Sequence, residues 1–432
     1  MGWSPGHSTI EYHDEANTMK GYSAFALLRN AFSGHRHWKP IWRSPEPKKA
    51  YDIVIIGAGG QGLATAYYLA KKHGMRNIAV LDKGYIGGGN TGRNTQVTRS
   101  NYYWPQSAAF FDHSLKLYES LGHELNFNVM MSQRGVLTLA HSDHDLEGLR
   151  RWANAIRING IDSELMTPAQ IKKFVPLINL DARFPVHGGF IQRRGGISRH
   201  DAVVWSYARA ASALGVDIVQ QCEVTDFEFA NGSVTGVKTT RGSISAGRVG
   251  IAVAGHTSVL TAKAGFRVPI TSMALQAMVS EPIKPCLDTM VLSPAIHMYV
   301  SQSDRGEIVL GGGADVYTSY AQRGGIPVME DNVAALLELF PAFSRLRLMR
   351  QWSGIVDITP DTTPIMGKTP VQNLYISGGW GTGGYKAIPA GGDTMAYTIA
   401  TDEPHPLIAE FGLERFERGA LIDEGAASGV SH

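Results

Sequence analysis

Residues 53–62 read Ile-Val-Ile-Ile-Gly-Ala-Gly-Gly-Gln-Gly, and a second apolar run, Asn77-Ile-Ala-Val-Leu-Asp82, ends on an acid. Leu63 to Lys72 between them has helical character. That order predicts a buried strand, a glycine turn, a helix and a second parallel strand, which commits the chain to a βαβ unit. Gly57 permits the tight turn, Gly59 with Gly60 beside it lets the backbone approach a pyrophosphate, and Gly62 lets helix and strand pack closely. Asp82, 20 residues past Gly62, is placed to hydrogen-bond a ribose hydroxyl. The helix N-terminus supplies amides and partial positive charge for an anion. An adenine dinucleotide site is expected. The motif by itself suits NAD and FAD equally.

The chain has 432 residues, enough for two domains with cores of their own. Its 49 glycines exceed the usual share and fit several close backbone approaches to a ligand. A net charge of +2 gives no general case for nucleic acid or an anionic membrane as partner. Cys222 and Cys286 have neither CxxC nor metal spacing, so a disulfide scaffold is not expected and a reducing cytoplasm is. The opening residues lack the charged-then-apolar order of a signal peptide. The most apolar stretch, around 53–70, is broken by glycines and belongs to the nucleotide fold rather than a bilayer.

Along the chain, residues 1–44 read as an arm that docks on its own or another subunit. Its first 18 residues are polar, Met19 offers a second start, and residues 22–43 mix Tyr22, Phe25, Phe32, Trp38 and Trp42 with Arg29, Arg36, Lys39 and Arg43. Residues 45–130, 195–264 and 350–405 read as the nucleotide domain. Residues 131–194 and 265–349 read as a strand-rich substrate domain, and 406–432 as a tail. Helices are predicted at about 106–122, 145–158, 168–174 and 329–340. Ser198 to Leu214 reads as a helix with Ser198 or Asp201 as N-cap and Gly215 as its stop. A doubly wound α/β domain interrupted by β-rich insertions accounts for this alternation.

Four segments then carry a specific resemblance. They are Asn90-Thr-Gly-Arg-Asn-Thr-Gln-Val-Thr-Arg-Ser-Asn-Tyr102, Arg193-Arg-Gly-Gly-Ile-Ser-Arg-His-Asp201, Gly354-Ile-Val-Asp-Ile-Thr-Pro-Asp-Thr-Thr-Pro-Ile-Met-Gly367 and Gly379-Trp-Gly-Thr-Gly-Gly-Tyr-Lys-Ala-Ile-Pro389. From about Tyr22 to Arg418 the chain resembles the β subunits of heterotetrameric sarcosine oxidases, within the wider amine and D-amino-acid oxidase flavoproteins. The resemblance implies a glutathione-reductase-like FAD domain with a discontinuous substrate domain. It also implies non-covalent FAD, and a covalent FMN held at the interface with a larger α subunit, small subunits completing the complex. An N-methyl amino acid would be oxidised at FAD, with electrons passing to FMN and then to oxygen.

Carried onto this chain, the resemblance makes Arg99 and Lys386 the carboxylate ligands of a small zwitterionic substrate, a task that suits a planar guanidinium. Gln96 stands where related monomeric oxidases have Arg. His200, at a helix start where backbone amides favour a neutral imidazole, matches the FMN-bearing position. Lys83, Asn90, Arg93, Asn94 and Thr95 fall in the FAD-binding segments, and Glu223 and Val224 begin one expected to hold adenine. Gly354, Asp361, Pro364 and Gly367 are expected to build a turn, and Gly381, Thr382, Gly383 and Gly384 to bring backbone amides to the flavin. His297 and Tyr299 divide evenly between core and flavin-side readings. Trp352 and Ser353 stand where relatives tether FAD through cysteine. No metal site is expected, since His35 and His37 are isolated from other ligand types. Two rival readings remain: the large flavin subunit of N-methylglutamate dehydrogenase, and a redox-silent FAD-binding scaffold.

Overall fold

Ile53 to Ile56 are apolar at every position because both faces of their strand are covered, as inside a parallel sheet. The computed structural model describes residues 23–36 and 41–424. The expectations on residues 1–18, Met19, Tyr22, His37, Trp38, Lys39 and the tail beyond Glu424 lie outside the described residues. A first unit ends at Ile41, and its helix Ala24–Phe32 is capped by Ser23, whose Oγ accepts the Ala26 amide at 3.1 Å.

The second unit, Trp42–His432, holds two eight-stranded sheets. In the first, Ala50–Ile56 lies between Gly242–Ile251 and Ile78–Leu81, parallel to both, with Ile53 opposite Arg248 and Ile78. Asp217–Val219 and Leu374–Gly378 extend the parallel array on either side, and Ile365–Lys368 closes one edge antiparallel. Two hairpins lead from Val224–Ala230 through Ser233–Thr239 back into Gly242–Ile251. Helices Gly60–Lys72, Pro105–Glu124, His200–Ala213 and Ile388–Thr401 contribute Leu63, Phe110, Tyr207 and Ile399 to one core. A second core joins Val54, Leu81 and Val249 to Phe227, Val237 and Leu260. The expected α/β architecture is therefore observed.

The second sheet runs in the order Leu348–Ile358, Thr271–Pro282, Glu307–Thr318, Met298–Gln302, Met290–Ser293, Val136–Ala140, Gly188–Gln192 and Glu164–Met166. Its pairs are antiparallel except Met290–Ser293 with Val136–Ala140. Helices Pro168–Phe174 and Ile326–Leu339 pack Ile171 and Leu336 into a core with Val300 and Leu310.

Four local expectations change. Arg43, counted with the arm, belongs to the second unit: its amide donates to Ser212 Oγ at 2.9 Å and its guanidinium pairs with Asp217 at 3.2 Å. Helix His200–Ala213 has Arg199 at its N-cap with no side-chain cap bond, because the Ser198 hydroxyl is spent on Tyr385 at 2.7 Å. Gly354 lies inside strand Leu348–Ile358, opposite Leu275, rather than in a turn. That strand belongs to the second sheet, although residue 350 was expected to reopen the nucleotide domain. None of the described helices is long and apolar enough to cross a membrane.

Candidate active site

The glycine turn works by close approach. Gly57 has φ +107°, and a Cβ there would run into the Ala252 carbonyl. A Cβ on Gly62 would strike the Gly57 carbonyl, so Gly62 serves packing and does not line the cavity described next. Gly59 is the N-cap of helix Gly60–Lys72 and brings no capping side chain, and the first turn has no acid. The helix end thus presents positive potential to a cavity of about 680 Å³ that Gly57, Gly59, Gly60 and Gln61 help to line. Such a volume is within the range of cofactor pockets, roughly 300–1,000 Å³. The missing Cβ atoms and a first turn whose Gly60 amide is held only by Thr91 Oγ1 at 2.9 Å fit a dinucleotide pyrophosphate.

Asp82 and Lys83 line the same cavity. Asp82 accepts the Ala58 and Gly84 amides, each at 2.7 Å, so its carboxylate also braces the turn. Burial raises its pKa, opposed by those amides and by Lys83. The Lys83 Nζ lies 3.1 Å from His256 Nε2, and Val224 completes this region of the lining.

The loop after the second strand is tied to the second sheet. Asn90 accepts the Ile355 amide at 2.9 Å and donates to the Ile355 carbonyl at 2.6 Å, pairing with edge strand Leu348–Ile358 as a neighbouring strand would. Arg93 donates to the Gly88 and Gly89 carbonyls and to Gln322, and its own carbonyl accepts Trp352 Nε1 at 2.7 Å. The Asn94 side chain accepts the Gln96 amide. Asn90, Arg93, Asn94, Thr95 and Gly354 all line the cavity. Tyr299 lines it too, its hydroxyl pKa pushed up to about 12 by burial and eased by Thr95. His297 occupies a left-handed turn instead, and neither it nor His200 lines the cavity.

Arg99 and Lys386 come together on this cavity from distant parts of the chain. Arg99 is 8 % exposed; it donates to Asn101 Oδ1 at 2.6 Å and lies 4.9 Å from the Tyr102 ring centre. Lys386 is 6 % exposed and donates to the Thr382 carbonyl at 2.7 Å. Burial, and then the charge of Arg99, hold its pKa well below the ordinary lysine value. Two buried basic side chains on one cavity wall favour an anionic ligand.

Within the Gly379–Lys386 loop, the Gly381 amide donates to the Asp357 carbonyl at 2.7 Å and the Gly383 amide to the Trp380 carbonyl at 2.8 Å. These amides shape the loop. Gly381 and Gly384 line the cavity, whereas Gly383 packs by Tyr102 and Phe111. Asp361 turns away from it to a buried pair with Arg415, at 2.7 and 2.9 Å. Trp380, Tyr385, Thr91 and Asp357 also line the cavity and were missed from sequence. Asp357 lay inside the Gly354–Gly367 segment, and its place in an apolar run was the available signal.

His200 is partly buried, and its Nδ1 is sealed from solvent without a hydrogen-bond partner. Burial, with help from Arg199 and against Asp201, lowers its pKa to about 4, so the imidazole is neutral. Both cysteines are free thiols, and no cluster of potential metal ligands occurs among the described residues.

Comparison with known proteins gives consistent matches. The family model described as FAD dependent oxidoreductase matches residues 52–398. The chain is 52 % identical over 415 residues to sarcosine oxidase subunit beta of Rhodobacter capsulatus, covering 96 % of this chain and 100 % of that one. It is 54 % identical over 398 residues to the Arthrobacter protein of that name, covering 92 % and 98 %. Among solved structures, L-proline dehydrogenase from P. horikoshii aligns with a TM-score of 0.82 and 27 % identity over 87 % of this chain and 100 % of that one. Glycine oxidase from Geobacillus kaustophilus shares the fold, with a TM-score of 0.78 and 20 % identity over 85 % and 99 %.

Proposed function

The chain belongs to the FAD-dependent oxidoreductases and, among them, to the sarcosine oxidase β subunits, and from that premise we propose that it oxidises the N-methyl group of sarcosine to glycine and formaldehyde. It is an FAD-dependent amine oxidoreductase. One observation carries the substrate reading: Arg99 and Lys386, both buried, share a cavity with the dinucleotide turn. When bound, FAD supplies the hydride acceptor, and water hydrolyses the resulting imine.

The chain's own residues do the positioning. Arg99 and Lys386 hold the substrate carboxylate, and that carboxylate in turn favours the charged form of Lys386. Gly57, Gly59, Gly60 and the helix N-terminus would hold the pyrophosphate, and Asp82 with Lys83 the ribose. Asn90 to Thr95, Gly354 and the Gly381–Lys386 loop would enclose the flavin end. In this reading the first sheet serves the cofactor and the second roofs the substrate.

His200 would carry FMN covalently, and that flavin would supply the route for electrons to oxygen. Its neutral ring and unpartnered Nδ1 support this reading, and its position off the main cavity requires a second site. The subunit designation of the relatives supports a complex with a larger α subunit and small subunits.

The test is anaerobic addition of substrate to the purified complex. Sarcosine should bleach the flavin spectrum and N-methylglutamate should not; bleaching by N-methylglutamate alone moves the chain to the dehydrogenase, and none with any secondary amine leaves a scaffold. After acid precipitation, a flavin of FMN mass should stay on the His200 peptide and be lost in His200→Ala.

A further inference from the structure

We propose that Asp357 is a positioning residue of the flavin site, whose carboxylate fixes the loop carrying Lys386 and lowers the reduction potential of the bound FAD. The inference rests on the family's cofactor and is independent of which amine is oxidised.

Asp357 is in strand Leu348–Ile358, opposite Ser272, and is 1 % exposed. Its Oδ2 accepts the Gly379 amide at 2.6 Å and its main-chain carbonyl accepts the Gly381 amide at 2.7 Å. The Trp380 amide between them also acts on the carboxylate. Three successive amides of the loop are thereby gathered on one residue of the second sheet. Gly379 and Gly381 adopt φ +69° and +51°, the left-handed backbone this curl requires. Downstream, the Thr382 carbonyl accepts Lys386 Nζ at 2.7 Å, so the position of the buried cation follows from the curl.

A neutral acceptor would hold two amides as well. The acid adds a charge, and it does so beside the cavity that it lines. Burial raises its pKa to about 7, opposed by the backbone amides it accepts. A buried carboxylate held by amides alone is costly unless its charge serves the site. Beside a flavin, a negative group disfavours the uptake of electrons.

The experiment compares wild type, Asp357→Asn and Asp357→Glu as the holoenzyme. Flavin content is measured, then the FAD potential at about pH 8, where the carboxyl is ionised, and steady-state constants with sarcosine. Asp357→Asn keeps an acceptor and removes the charge. It should retain FAD and be about tenfold easier to reduce, a rise of about 30 mV for a two-electron couple. An unchanged potential in a loaded Asn variant overturns the proposal. If the Asn variant holds no FAD, Asp357→Glu decides. With its charge kept and its arm lengthened, it should keep the wild-type potential and show a several-fold higher KM, through Lys386, with kcat little changed. An unchanged KM, or a potential that moves as for charge loss, overturns it. Failure of sarcosine to bleach the wild type would sink the substrate reading alone, since the potential is read without substrate and KM is then taken with whichever secondary amine does bleach it.

Discussion

Arg99 and Lys386 are both buried on the cavity wall and the charge of Arg99 opposes that of Lys386, so an anion placed between them would favour both. Arg99→Lys removes a planar fork that a second ammonium does not replace. Losing one charge-assisted contact, worth about 1.5–3 kcal/mol, should lower kcat/KM for sarcosine roughly ten- to a hundredfold. Lys386→Met should do the same, and steady-state kinetics on the loaded complex check both. His200 makes a different prediction. Its folded pKa of about 4 keeps the imidazole neutral where an ordinary histidine would be protonated. The yield of covalent flavin should therefore stay level from about pH 8 to about pH 5, as measured by acid-stable flavin; a fall centred near 6.5 would refute a buried neutral nucleophile.

At the scale of elements, the Asp361–Arg415 pair ties the end of the described chain to the loop after strand Leu348–Ile358. Arg415 also donates to the Thr363 and Phe411 carbonyls, and Asp361 accepts the Ile422 amide. Removing one partner leaves a buried charge, so Arg415→Ala should cost about 3–5 kcal/mol and lower the urea midpoint. Neither this pair nor the Asp357 contacts could be read from sequence, because spacing along a chain does not reveal partners dozens of residues apart. The first βαβ unit was legible because its turn, helix and strands are neighbours in sequence, and glycine marks each close approach. The Ser198 cap failed for a physical reason: Tyr385, far downstream, competes for the same hydroxyl. Gly354 was taken for a turn residue although its strand pairs with Thr271–Pro282, a contact that composition does not signal.

For the whole molecule, the buried acids set an unusual pH dependence. Burial raises both Asp357 and Glu424 to about 7, above their unfolded values near 4. Stability from a raised group is complete below the unfolded pKa and is lost as pH rises through the folded one. These two sites should therefore destabilise the fold between about pH 4 and pH 7, and Asp357→Asn should flatten that slope in urea titrations across the window. His200 acts oppositely: its depressed pKa costs stability as pH falls from 6.5 towards about 4. The cavity itself has a further consequence. Its lining is drawn from Ile56 through Ile388, so the cavity is complete only when distant parts of the chain have come together. A cofactor that binds the folded lining stabilises it by mass action, so vitamin supply becomes part of the protein's stability. Cells starved of riboflavin should clear the chain by proteolysis rather than store it empty, and pulse-chase half-lives with and without the vitamin would show it.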